Sequence, residues 1–203
     1  GPTDAKNGIL AAIRDPFEVS SGATAAPLGN GHINQKVLVT DGDRHLVAQR
    51  IKTAVLKHPG DLVHNARAIE SHLAGKGGQF RVVRHIPGRD GFFLYGPNQD
   101  VRVLEYIPDS RSIEVLENSA QAELAAASFS RFTSLLSDFD GSELRIVIPD
   151  FLSPVLRWRQ FRESLAVDAA GREQTWLPET AFAGDGERLT SHWQDLMDRL
   201  PVR

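Results

Sequence analysis

The chain has 203 residues, 41% of them hydrophobic and 24% charged, with no Cys, one Met and a formal net charge of -3. A length like this holds one full core or two small lobes, burying roughly 70% of the surface the unfolded chain exposes. The lack of cysteine excludes a disulfide framework, a thiolate metal cluster and a Cys nucleophile, and 23 basic against 26 acidic side chains give no global field for nucleic acid or anionic lipid.

No run approaches the roughly 18 apolar residues of a membrane helix, and the N-terminus lacks the basic-then-apolar layout of a signal peptide, so no membrane partner and a cytoplasmic location are expected. The chain opens Gly1-Pro2 and carries its Met at position 197, which reads as the scar of a removed tag. Ile9, Leu10, Ile13 and Phe17 have helical spacing over 8–19, ending near Asp15-Pro16. Ser20 to Pro27 reads as a loop, and Leu28-Gly29-Asn30-Gly31-His32-Ile33-Asn34 follows with two glycines that permit backbone conformations closed to other residues. Lys36 to Thr40 and His45 to Ile51 are β-rich runs flanking Asp41-Gly42-Asp43-Arg44, a hairpin signal.

From Asp61 the apolar residues Leu62, Ala66, Ile69 and Leu73 predict a helix that Gly75 and Gly77-Gly78 stop. Phe80 to Arg84, Phe92 to Tyr95 and Val101 to Ile107 read as strands separated by Gly- and Pro-bearing reversals. Residues 1–107 are thus expected to form a β-rich lobe of about five strands with one internal helix. The character changes at Pro108-Asp109-Ser110, so 108–203 is expected to be a helical segment. Its helices run over Ala120 to Ser137, whose alanines suit close packing; from Ser153-Pro154, with Leu156, Trp158, Phe161 and Leu165; and from about Asp185, with Leu189, Trp193, Leu196 and Leu200. The fold class is α+β.

Backbone N–H groups in a glycine-rich turn approach phosphate oxygens closely, although most Gly-x-Gly turns only connect elements. The order strengthens the signal: glycine turn, strand with a terminal cation, helix with an acid, further strands, then a linker. This is the succession of a kinase amino-terminal lobe, in which the strand cation holds phosphates and the helix carboxylate fixes the cation. Arg50 is the candidate cation and Glu70 its partner; the competing reading is an exposed strand end and a solvated helix face. Guanidinium can bridge phosphate oxygens bidentately, so Arg in place of Lys is chemically workable. Main-chain groups of Glu105, Tyr106 and Ile107 fall where a hinge would meet an adenine edge, or simply join strand to helix.

Pro27-Leu28-Gly29-Asn30-Gly31-His32-Ile33-Asn34, Gln49-Arg50-Ile51, Val103 to Ile107, Phe132 through Phe139 and Ile148-Pro149-Asp150-Phe151 together resemble the N-acetylhexosamine 1-kinases. These belong to the aminoglycoside phosphotransferase and choline kinase superfamily, and the likeness runs from about residue 24 onward. It implies a protein-kinase-like amino-terminal lobe followed by the first helices of a carboxy-terminal lobe. It also implies ATP and Mg²⁺ as cofactors and phosphorylation of a small hydroxyl substrate, typically the anomeric hydroxyl of an N-acetylhexosamine. Gly29, Asn30, Gly31 and His32 would then lie over the phosphates, Arg50 would contact them, Glu70 would orient Arg50, and Glu105 to Ile107 would face adenine.

None of the seven His residues is followed two positions later by Asp, so the catalytic His-x-Asp motif of such kinases is missing. No catalytic residue and no metal ligand is therefore assigned, the Mg²⁺ ligands being expected in a further carboxy-terminal part. Asp138-Phe139-Asp140-Gly141 looks like a metal-binding Asp-Phe-Gly but precedes the point where a catalytic loop belongs, and Asp41-Gly42-Asp43 is hairpin chemistry. Arg157, Arg159, Arg162 and Arg172 read as a solvated helix face or an anion contact. The alternative function is a non-catalytic kinase-like module that binds nucleotide or protein. Both readings expect an exposed apolar surface, leading to self-association or docking of a carboxy-terminal half.

Overall fold

The computed structural model describes residues 2–29, 35–110, 113, 115–151, 153–167 and 183–199. The chain is α+β and divides into two units, Gly1–Val147 and Ile148–Arg203.

In the first unit, helix α1 (Pro2–Arg14) places Ile9 and Ile13 one turn apart, and both are fully buried. It begins six residues before the expected start and ends, as expected, ahead of Asp15-Pro16, because the residue before a proline avoids helical backbone. Four strands follow, β1 (Thr24–Pro27), β2 (Gln35–Asp41), β3 (Arg44–Arg50) and β4 (Val101–Glu105), forming one antiparallel sheet in that order. The hairpin between β2 and β3 turns through Gly42 in left-handed backbone, φ 59°, where a side chain would be strained. Strand alternation sends Val37, Val39, Leu46, Ala48, Val101 and Val103 into one core with Ile9, Ile13, Phe17 and Tyr95. Val47 and Gln49, on the opposite face of β3, are also buried, so this strand is covered on both sides.

Three expectations for this unit need correction. Thr24–Pro27, read as loop, is the edge strand β1; its small residues show no alternation, and it is extended because β2 supplies its ladder partners. Proline is tolerated at such an edge. Residues 80–84 and 92–95 are not strands, and each region contributes one isolated bridge, His85 to Leu104 and Tyr95 to Val101. The chain at 84–86 does run beside β4, with Glu105 N–H donating to the Arg84 carbonyl and Ile86 N–H to that of Val103. The Arg84 N–H is taken by the Glu105 carboxylate and the Gly88 N–H by the Phe92 carbonyl, so the ladder stops.

Helix α2 (Pro59–Ala74) opens with proline and Asp61 in its first turn and closes on Gly75, whose N–H bonds back into the last turn. Helix α3 (Ser119–Leu135) is capped by Asn118, whose side chain accepts from Gln121 N–H at 2.9 Å. The expectation of close packing fails here: α3 has no buried residue, and Leu124 and Phe129 are 69% and 71% exposed. The division into units falls after Val147, and the chain beyond α3 is bonded to α2. His64 meets the Glu143 carbonyl at 2.9 Å, Asn65 exchanges two 2.8 Å bonds with Arg145, and Arg145 pairs with Asp61 at 3.0 Å.

The second unit holds α4 (Pro154–Val167) and α5 (Ala183–Arg199). The Ser153 hydroxyl accepts from Leu156 N–H at 3.3 Å, the N-cap expected before Pro154. Gly186 of α5 lets the Trp158 ring approach so closely that a Cβ there would fall 2.5 Å from it. Leu189, Trp193 and Leu196 are exposed, as are Arg157, Arg159 and Arg162, while Arg172 and Leu200 lie outside the described residues. Among the described residues no helix is long and apolar enough to cross a membrane.

Candidate functional site

Gly29 follows β1 in left-handed backbone at φ 72°, and a Cβ there would meet nothing, so conformation rather than space calls for glycine. Asn30, Gly31 and His32 lie outside the described residues. The ladder between β2 and β3 sets Arg50 opposite Gln35, the first residue of β2.

The expected Arg50–Glu70 pair does not form. Arg50 has Asp100 as its ion-pair partner, Nε to Oδ2 at 3.6 Å, and Glu70 binds His85 instead. The cause is strand alternation. Arg50 shares a sheet face with its ladder partner Val101 and with α1, whereas Glu70 reaches the face presented by Gln49 and Arg102.

On that second face four side chains form a continuous polar chain. Glu70 Oε1 lies 2.5 Å from His85 Nδ1 and also accepts from the His85 backbone N–H at 3.1 Å. His85 Nε2 is 2.9 Å from an Arg102 terminal nitrogen, and Arg102 Nε donates to Gln49 Oε1 at 2.8 Å. Guanidinium can only donate, so Nε2 must be the bare acceptor and Nδ1 carries the proton given to Glu70. The imidazole is therefore neutral with a fixed tautomer. Burial pushes the His85 pKa down, with the hydrogen bond to Glu70 pulling the other way, and burial likewise lowers that of Arg102 against the opposing attraction of Glu70. Glu70 and His85 border a cavity of about 340 Å³ together with Arg67, Arg84, Phe93 and Glu105. The Arg67 guanidinium stands 3.9 Å over the Phe93 ring.

At the end of β4, the Glu105 carboxylate is held by Arg81 and Arg84, and its N–H is already given to the Arg84 carbonyl. Tyr106 and Ile107 follow the last ladder pair; the Tyr106 ring packs on His45 at 5.4 Å, and the Ile107 carbonyl accepts from the Ser110 hydroxyl at 2.7 Å. The two acidic motifs set aside as metal ligands have structural partners. Asp138 pairs with Lys76 and His72, which hold its carboxyl below the usual range, and Asp41 accepts from the Ser20 hydroxyl and N–H with the same effect.

Sequence reasoning missed Asp100, His85, Arg102 and Gln49 as partners. The alternation Val101-Arg102-Val103 already places Arg102 opposite the apolar pair, but its link to Gln49 requires the β3–β4 register. A scan of the sequence against protein families finds no matching family model.

Proposed function

We propose that the chain is the nucleotide-binding lobe and first substrate-lobe helices of an ATP-dependent phosphotransferase acting on a small hydroxyl compound. The sequence resemblance favours the anomeric hydroxyl of an N-acetylhexosamine as acceptor and a cytoplasmic setting. The observation that supports the reading is the β2–β3 register, which sets Arg50 opposite Gln35, the residue that follows the glycine segment in sequence, with α2 next in chain order before β4. A strand-borne cation beside a glycine turn is the arrangement needed to hold polyphosphate. Asp100 takes the anchoring role first given to Glu70. Bound Mg²⁺ would supply charge neutralisation between phosphates, and no residue described here is assigned to it.

The test is ATP titration by calorimetry on the 203-residue chain and on Arg50→Met, which keeps the stem and removes the charge. Binding that weakens about tenfold or more in the variant is expected for loss of a charge-assisted contact. Absence of ATP binding by the unaltered chain overturns the reading. With no His-x-Asp segment, a coupled ADP-release assay with N-acetylglucosamine and N-acetylgalactosamine should show no turnover.

The exposed α3 favours one second reading, a non-catalytic module that binds a protein through Leu124 and Phe129. Retained protein binding without any nucleotide affinity would select it.

A further inference from the structure

Helix α1 carries Gly8 in its interior, and the Arg50 side chain lies against it. A Cβ at position 8 would lie 3.4 and 3.5 Å from the two terminal guanidinium nitrogens, so the helix backbone is seated against the flat end of the cation. Its ion-pair partner Asp100 is buried, with Oδ2 3.6 Å from Nε and Oδ1 without any hydrogen-bond partner. That separation is too long for a hydrogen bond, yet close enough for the carboxylate to compensate the charge. The helix itself is fixed, because Ile9 and Ile13 are fully buried in the sheet core.

We propose that Gly8 and Asp100 are positioning residues for Arg50: a residue at 8 that reaches no further than Cβ leaves the guanidinium its room, and Asp100 gives it a counter-charge, setting its reach toward the phosphates. This rests on the nucleotide reading above and extends it to α1. Strand and helix are both rigid, so a misplaced guanidinium has no easy way to recover its position.

The test uses the full chain with Gly8→Ala, Gly8→Val, Arg50→Lys and Gly8→Val/Arg50→Lys. Each is followed by thermal unfolding and by ATP titration. Alanine places its methyl at ordinary contact distance and should leave ATP affinity within about twofold, with the gain in helix propensity offsetting any crowding. Valine extends beyond Cβ with a stiff χ1 and should push the guanidinium aside, weakening ATP binding about tenfold. Lysine has no guanidinium fork to collide, so the double variant should bind ATP no more weakly than Arg50→Lys alone and recover most of the Tm lost in Gly8→Val. That rescue is a readout that simple damage to α1 would not give.

If the unaltered chain binds ATP and Gly8→Val binds it equally well, the positioning role is overturned while the nucleotide reading stands. Additive Tm losses with no rescue overturn it as well. If the unaltered chain does not bind ATP, the nucleotide reading falls and the role built on it falls too, whatever the Tm values show.

Discussion

Replacing His85 by leucine removes the middle of the chain that ties α2 to the sheet. The imidazole side chain is 2% exposed and the Glu70 side chain 13%. The substitution deletes the bond to Glu70 at 2.5 Å and the bond to Arg102 at 2.9 Å, leaving each charged partner with one contact on this face, Glu70 to the His85 N–H and Arg102 to Gln49. A hydrogen bond to a charged group contributes about 1.5–3 kcal/mol, and stranding a buried charge costs about 3–5 kcal/mol. The expected loss for His85→Leu is therefore about 3–5 kcal/mol, a large share of the roughly 5–15 kcal/mol that a domain has. It should appear in urea unfolding at pH 7.5 as a lowered midpoint with unchanged m. Glutamine can donate to Glu70 and accept from Arg102, so His85→Gln should lose less.

Acid adds a second signature. Burial depresses the folded pKa of His85, so as pH falls the unfolded chain takes up this proton first, at about 6.5. The contribution is fully present above that pH and is lost as pH drops toward the lower folded value, with a slope of up to about 1.4 kcal/mol per pH unit. The wild type minus His85→Gln difference should therefore shrink below about pH 6.5. A cost under about 1 kcal/mol for His85→Leu, or a difference curve flat between pH 7.5 and 5, refutes the reasoning.

Ile13→Ala empties a fully buried position where α1 meets the sheet and should cost about 2–5 kcal/mol in the same assay; a loss below about 1 kcal/mol would mean that α1 is not part of the core. The Tyr95 hydroxyl donates to Asp90 Oδ1 at 2.5 Å, with the Phe92 carbonyl at the same distance, and burial followed by the Asp90 carboxylate pushes its pKa up to about 12. The wild type minus Tyr95→Phe absorbance titration should place one phenol there, and a midpoint near 10 would contradict the buried geometry. Phe129→Lys on the exposed face of α3 should change stability by no more than about 0.5 kcal/mol while reducing any self-association seen by light scattering. A marked destabilisation would show that Phe129 is packed.

Local signals set most of the secondary structure. Spacing located all five described helices: Ile9 and Ile13 for α1, Leu62 to Leu73 for α2, and Ser153-Pro154 at the start of α4. The Asp-Gly turn identified the β2–β3 hairpin. These features depend on neighbours within a few residues, where side-chain period and turn chemistry act directly. They fail where pairing decides: Thr24–Pro27 is a strand because of β2, while 80–84, equally β-prone in composition, stops short of one because the Arg84 and Gly88 N–H groups go to the Glu105 carboxylate and the Phe92 carbonyl instead of to β4.

The candidate site divides the same way. Gly29, Arg50, Glu70 and Glu105 could be picked from the sequence by residue type and order, and the absence of His-x-Asp and of cysteine was complete in the sequence alone. Which carboxylate serves which cation was settled only in three dimensions. Side chains one residue apart on β3 point to opposite faces, so Arg50 falls to Asp100 and α1 while Gln49 joins Arg102, His85 and Glu70. Sequence order carries no information about cross-strand register or about which helix covers which face, and those two facts assign every buried partner.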